Sequence, residues 1–333
     1  MGLDALKTHG AIQRTGIAPM GDFRSALFCV VGFAWCVFLA GCYERKQQTV
    51  LNPDGSGKML LETDVALPAG GAPGREKPTA LSFGRQYTAD LVNSGSGIEA
   101  WSDLEISEAA DGRAHVAIVG YFSDLNKVRF KAPLELPLQF IWEVQGQEGK
   151  VRVERMHQAA TDKLTAADAR DMVKKAQEDY QDKRLAMHTQ LDAFMMQIVF
   201  ELPGEVTQAS VFEKDAANKG RVSFMLDGKK VAAALDTFMA NDGALSAMFQ
   251  KGQDTSANDD LILSSMIGKP GPVEATVKIA THDTAKGQEP KPAFDYKTEM
   301  RTAELHQQEM FEQAGVELIP KFIVKPAATK PAQ

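Results

Sequence analysis

The sequence predicts an α+β fold, in which an antiparallel sheet built from hairpins carries a long amphipathic helix and several shorter helices. Two observations lead to this class. Short runs in which apolar and polar residues alternate are separated by turns rich in Asn, Asp and Gly, as in hairpin strands with one buried face. Other stretches place apolar residues every three or four positions, as in amphipathic helices.

The strand pattern occurs first around the turn Asn52-Pro53-Asp54-Gly55-Ser56-Gly57, which lies between apolar runs at 49–51 and 58–65. This turn lacks the earlier glycine of a phosphate loop and the final glutamate of a calcium loop, so we interpret it as a plain hairpin turn. A second hairpin is predicted at Asp111-Gly112, and a third strand pair over 136–153.

A long helix is predicted over 165–198. It opens with Thr165-Ala166-Ala167-Asp168, which has the form of a capping box with Asp in place of Glu. Its apolar stripe consists of Ala169, Val173, Ala176, Tyr180, Met187, Leu191, Phe194 and Ile198. Core packing is the expected role of this stripe, and a groove that faces a lipid or peptide is the alternative. Shorter helices are predicted after Thr79, within 231–266 and over 298–313.

The N-terminal part has the features of a secretory signal. Arg24 precedes an apolar run at 26–38, and small residues then lead to a cysteine in Leu39-Ala40-Gly41-Cys42. A transmembrane helix is the alternative, but it needs about 20 apolar residues, more than this run provides. Met20 is the expected start of translation, because a leader that begins there has an ordinary length.

The sequence Leu39-Ala40-Gly41-Cys42 resembles the lipobox of bacterial lipoproteins. The resemblance implies cleavage between Gly41 and Cys42 and acylation of the Cys42 thiol with diacylglycerol, so that acyl chains such as palmitate hold the protein on a membrane. Tyr43 stands where many lipoproteins of the inner membrane have Asp. We therefore expect a lipid-anchored protein of the cell envelope that faces the periplasm or the exterior, and the resemblance favours the outer membrane.

A second resemblance rests on the turn at 52–57 together with Leu202-Pro203-Gly204-Glu205-Val206-Thr207 and the alternating strand that follows. These two motifs, in this order after a lipobox, resemble the LppM-type domain of exported bacterial lipoproteins. The resemblance implies an α+β fold with an antiparallel sheet and a role in handling envelope lipids. The chain departs from this family in its long middle region, which includes the helix at 165–198, so no binding residues are transferred.

We divide the chain accordingly. The segments are a signal peptide at 1–41, a tether at 42–48, a single α+β domain at 49–281 that includes the long helix, a linker and C-terminal helix at 282–324, and a disordered tail at 325–333.

Composition excludes several classes of function. The part after the leader carries 34 basic and 42 acidic side chains, a formal charge of −8, which disfavours nucleic acid as a partner. Cys29, Cys36 and Cys42 are the only cysteines, so the mature fold has neither a disulfide nor a thiol nucleophile. The remaining histidines lack the spacing of a helical zinc site; they are His115, His157, His188, His282 and His306. We predict no catalytic, metal-binding or cofactor-binding residues and no cofactor.

Three functions remain. The first is a non-catalytic lipoprotein that binds an apolar or lipid-like envelope ligand in a groove between the sheet and the helix at 165–198. The second is a scaffold lipoprotein that binds an envelope protein through an exposed Met/Phe patch around Phe238 to Phe249. The third is a hydrolase, since two carboxylates that are distant in sequence are enough for a glycosidase. Carboxylate pairs close in sequence, such as Asp103 and Glu105, usually form a solvated strand face.

Replacement of Cys42 by Ser tests the anchor. The variant is expected to lose incorporation of labelled palmitate and to lose its membrane association, because the serine hydroxyl does not replace the acylated thiol. Metabolic labelling and membrane fractionation measure both effects. Cys36→Ser is the matched control, since Cys36 lies in the leader and its loss leaves the lipobox intact. Palmitate on the Cys42→Ser protein would contradict the assignment.

Overall fold

The structure is a computed structural model. It describes residues 43–67, 78–130, 138–155, 165–251, 263, 266–269, 271–284 and 287–318. The leader, the cleavage position Gly41 and the acylation candidate Cys42 lie outside the described residues, as do His157 and the C-terminal tail.

Strands and helices alternate along the chain. The strands are β1 (Tyr43–Leu51), β2 (Gly57–Val65), β3 (Ala100–Glu108), β4 (Ala114–Phe122), β5 (Leu138–Gln145), β6 (Glu148–Arg155), β7 (Met195–Glu201), β8 (Gly204–Ala209), β9 (Glu213–Lys214), β10 (Arg221–Asp227), β11 (Glu274–Ile279), β12 (Thr281–Thr284) and β13 (Gly287–Pro290). The helices are α1 (Ala80–Ser94), α2 (Ala166–Leu191), α3 (Gly228–Met239), α4 (Asp242–Lys251) and α5 (Tyr296–Ala314).

The predicted α+β class is confirmed. A seven-stranded sheet has the order β3-β4-β2-β1-β7-β10-β9, and a four-stranded antiparallel sheet has the order β5-β6-β11-β8. All pairs in the larger sheet are antiparallel except β1 with β7, which run parallel. The inner face of the larger sheet, helices α1 to α4 and the smaller sheet contribute to one hydrophobic core.

The tether predicted at 42–48 is wrong from Tyr43 onward, because these residues form the first part of β1. The sequence hides this strand because its buried face is polar: Tyr43, Arg45, Gln47 and Thr49 are at most 5% exposed. Arg45 donates a hydrogen bond to the Tyr43 hydroxyl at 3.0 Å, and its guanidinium lies 5.9 Å from the centre of the Phe130 ring. Such contacts offset part of the cost of burying polar groups that composition alone would place in water.

The long helix also ends earlier than predicted. Helix α2 stops at Leu191, and β7 begins at Met195, where the sequence pattern predicts helix up to residue 198. Phe194 and Ile198 are spaced as on one face of a helix. They also lie an even number of positions apart, as do Met196 and Ile198, and this spacing equally fits one face of a strand. The parallel pairing with β1 decides between the two structures. Thr165 is confirmed as the N-cap of α2, since its side chain accepts a hydrogen bond from the Asp168 amide and donates one to the Asp168 carboxylate.

The apolar stripe of α2 is packed in the core. Its buried members include Ala169, Val173, Ala176, Tyr180, Met187 and Leu191. The core packing expected of this stripe is therefore confirmed, and the alternative, a ligand groove along this helix face, is wrong. The exposed patch predicted around Phe238 to Phe249 is wrong as well, because Met239, Leu245 and Phe249 are each at most 5% exposed.

The linker predicted from residue 282 contains the short hairpin β12–β13. The C-terminal helix is confirmed as α5, with an Asp295 N-cap and a Gly315 C-cap in the left-handed conformation. Within the described ranges, none of the helices combines the length and the apolar composition that crossing a membrane requires.

A carboxylate joins α2 to α3. Asp236 on α3 accepts hydrogen bonds from the Arg184 guanidinium at 2.6 and 2.8 Å and from the Tyr180 hydroxyl at 2.7 Å. Nε2 of His188 lies 3.3 Å from the same carboxylate. Arg184, followed by Tyr180, holds the pKa of Asp236 well below its usual range. The ionised carboxylate therefore stabilises the contact between the two helices.

Replacement of Asp236 by Asn is expected to lower the free energy of unfolding by about 1–2 kcal/mol at pH 7, a value reduced by the partial exposure of the group. The folded pKa is depressed, so the contribution is complete above the unfolded pKa of about 4 and is lost as the pH falls through the folded value. Urea unfolding at pH 7 and pH 3 should show a smaller difference between variant and wild type at pH 3. Glu178→Gln, which removes an exposed pair with Lys174, is the control and should have little effect. An equal difference at both pH values would contradict this account.

Candidate functional site

Helix α5 lies along β3, the edge strand of the seven-stranded sheet. The Gln307 side-chain oxygen accepts a hydrogen bond from the Trp101 backbone amide at 3.3 Å. The Met310 sulfur accepts a hydrogen bond from the Leu104 backbone amide at 3.4 Å. The helix therefore covers backbone groups that an exposed edge strand would offer to another chain.

The side of α5 that borders an open space beside the sheet is mostly polar. It carries Glu299, Thr302, Ala303, His306, Gln307 and Met310, which are spaced as one face of a helix. Ala303 and Phe311 are the residues of α5 that are fully buried. Met300, Ala303 and Phe311 pack on the sheet and the core, whereas Thr302 and His306 are exposed at the rim of the helix. The polar face leaves open space between the helix and the sheet.

This space is an open cleft of about 470 Å³. Its sheet side is formed by Trp101, Ser102 and Asp103 of β3 and by Tyr121 of β4. Its volume lies within the range of small-molecule sites, and its lining combines apolar and polar groups. The cleft is therefore our candidate functional site.

Asp103 lies at an irregular point of β3. The register with β4 shifts between Ser102 and Glu105, and Asp103 has a φ of +53°. Asp tolerates this left-handed conformation better than most residues, and bulges of this kind commonly re-aim a side chain. The Ser102 hydroxyl donates a hydrogen bond of 2.7 Å to Oδ2 of Asp103. The bulge thus places a carboxylate on the cleft wall.

Glu299 supplies the second carboxylate, from the first turn of α5. Its Oε2 accepts a hydrogen bond from Lys58 at 2.7 Å and lies 3.4 Å from the Tyr121 hydroxyl. The Lys58 ammonium also lies 4.6 Å from the centre of the Phe294 ring. The charge of Lys58 is therefore already balanced by Glu299.

The turn after β1 holds the start of α5 in place. The Asn52 side-chain oxygen accepts hydrogen bonds from the amides of Ala293 at 2.7 Å and Phe294 at 3.4 Å. Its Nδ2 donates to Ser56 Oγ at 3.2 Å. The same turn accepts a hydrogen bond from the Trp142 indole through the Pro53 carbonyl at 3.2 Å. The plain turn predicted from the sequence is therefore also a junction between β1, β5 and α5.

The histidines and carboxylates considered as candidate site residues from the sequence lie in different parts of the structure. His306 and Asp103 line the cleft. His115 pairs with Asp64 at 2.7 Å on the larger sheet, and His188 lies beside Asp236 between the helices. Across the described ranges, no three His, Cys, Asp or Glu side chains are grouped in a way that could hold a metal ion. No sequence motif indicates the cleft. The polar residues at helical spacing in α5 are the sequence feature that belongs to it.

Comparison with known proteins gives one weak similarity. No protein-family model and no curated protein matches the chain. Among solved structures, the NMR structure of the folded domain of LppM from Mycobacterium tuberculosis is similar over 72% of this chain and 91% of that chain. The identity is 10% and the TM-score is 0.28.

Replacement of Asn52 by Ala is expected to loosen α5. The change removes the acceptor of the Ala293 amide and costs about 1–3 kcal/mol locally. Hydrogen exchange measured by mass spectrometry should become faster in peptides that cover 293–314, while β1 and β2 stay protected. Lys46→Gln is the control, because it breaks a pair with Glu62 on the same sheet away from α5. Faster exchange throughout the protein, or none in α5, would contradict a local role for Asn52.

Proposed function

We propose that the protein is a lipid-anchored, non-catalytic binding protein of the cell envelope, which takes its ligand in the cleft between α5 and strands β3 and β4. The observation that carries this proposal is the open cleft of about 470 Å³ between α5 and strands β3 and β4, which is lined by polar side chains of α5. Polar side chains from two distant parts of the chain converge there, which is typical of a binding site.

The start of the fold supports an anchor at Cys42. Tyr43 already belongs to β1, so an acyl group on Cys42 would be joined to the central strand without a linker. Lys58 and Tyr121 at the cleft are in register with Val50, seven residues after Tyr43. At about 3.3 Å per residue, the cleft lies about 23 Å along the strand from the proposed anchor.

The contacts in the cleft favour binding over catalysis. Ser102, Asp103 and His306 all line it. In a Ser–His catalytic pair the serine hydroxyl donates to the imidazole, but the Ser102 hydroxyl donates to the Asp103 carboxylate. Within the described part of the chain, His306 forms no hydrogen bond to either residue.

The ligand predicted from the sequence is apolar or lipid-like. The burial of the α2 stripe moves the candidate site to a cleft with mixed lining, where a polar part of an envelope molecule fits better than an acyl chain. The scaffold alternative has less support, because the most exposed leucines, Leu185 and Leu305, lie on different helices instead of forming one patch.

Native mass spectrometry of protein extracted from membranes tests this function. The wild type is expected to retain a bound molecule, and Thr302→Trp is expected to lose it because the indole fills the cleft. Glu304→Trp adds the same bulk on an exposed residue of α5 that does not line the cleft, and it should retain the molecule. Absence of a bound molecule from the wild type, or its persistence in Thr302→Trp, would overturn the proposal.

A further inference from the structure

The charges of the cleft argue against an anionic ligand. Its lining includes the carboxylates of Asp103 and Glu299, and no lysine or arginine belongs to the set of residues that form it. Lys58, at the margin, is already paired with Glu299. A phosphate, sulfate or carboxylate would approach like charges without a cation to offset them.

The aromatic residues argue against a cationic ligand. A site for an ammonium group exposes the faces of aromatic rings around the cation. Trp101 and Tyr121 are only 5% and 6% exposed, so their ring faces are covered by neighbouring groups. Of the two carboxylates, that of Glu299 is neutralised by Lys58 at 2.7 Å. The cleft therefore lacks the cage and most of the charge that an amine would require.

What remains available is a set of neutral hydrogen-bonding groups and one open carboxylate oxygen. Ser102 bonds to Oδ2 of Asp103, which leaves Oδ1 as an acceptor without a hydrogen bond to the described residues. Gln307 uses its oxygen on the Trp101 amide and keeps its NH₂ group as a donor. Thr302 and His306 add further polar groups on the same helix face, and the partly buried Met310 adds apolar surface.

We propose that the cleft binds a neutral saccharide unit. Each hydroxyl of a sugar both donates and accepts, so neighbouring hydroxyls match the Asp103 acceptor and the Gln307 donor, while the C–H face of the ring matches Met310. Neutrality matches the absence of an unpaired lysine or arginine in the lining. This inference rests on the proposed binding function and specifies its ligand class.

Saturation-transfer NMR with the full mature chain tests the proposal. The probes are the methyl glycosides of glucose, mannose, galactose and N-acetylglucosamine and their disaccharides, with choline and glucose 6-phosphate as charged comparisons. At least one neutral saccharide should bind, and Asp103→Asn should weaken it about tenfold or more, because a charged acceptor is replaced by an amide. Asn tolerates the left-handed backbone, so the fold should be retained. Glu105→Gln, on the same strand outside the cleft, should bind like the wild type.

The outcomes separate this inference from the function beneath it. A saccharide whose binding survives Asp103→Asn and Thr302→Trp, or stronger binding of choline or of the sugar phosphate, would overturn the saccharide assignment. If native mass spectrometry finds a molecule that Thr302→Trp displaces and that is not a saccharide, the binding function stands and the saccharide assignment fails. If the wild type carries no molecule and none of the saccharides binds, both fail.

Discussion

The parallel pairing of β1 with β7 is the contact on which the rest of the structure depends. It joins the hairpin at the start of the fold to the strands of the second half, with Glu44 opposite Met195 and Val50 opposite Glu201. Every strand on the β3 side of the larger sheet connects to the β10 side through this pair. The turn that follows β1 then holds β5 and α5. Both the hydrophobic core and the cleft therefore require β1 in its central place.

Local chemistry explains which elements the sequence predicts well. The hairpin at 52–57, the strand pair at 138–155 and the start of α2 depend on turn residues, alternation and a capping threonine that are close in sequence. Tertiary contacts decide the elements that were missed. The sequence predicts a tether at the first residues of β1, because it does not show that the polar side chains of Arg45 and Gln47 are buried in contact with each other. It predicts helix at β7, because the spacing of the apolar residues there fits both the helix period and the strand period.

The candidate site could not be predicted for a related reason. Trp101, Ser102 and Asp103 meet the face of α5 across about 200 residues of chain, so no local motif contains both walls. The sequence predicts that Asp103 belongs to a solvated strand face. Its left-handed φ follows from a β-bulge, and the sequence has no Gly at this position that would indicate one. His306 has no other histidine at the spacing of a helical zinc site, so the sequence predicts no metal-binding role for it. These side chains come together only in the folded protein, where α5 lies along the edge strand β3.

The position of β1 also has a consequence for the order of folding. As the chain is synthesised, β1 and β2 can pair at once, but the other side of β1 waits for β7, about 150 residues later. Contacts of such separation slow folding because a long loop must close before they form. Until then β1 and β2 form an open hairpin, and the buried face of β1 carries an arginine and a glutamine instead of aliphatic side chains. This polarity lowers the tendency of the nascent hairpin to aggregate while the second half of the chain is still absent.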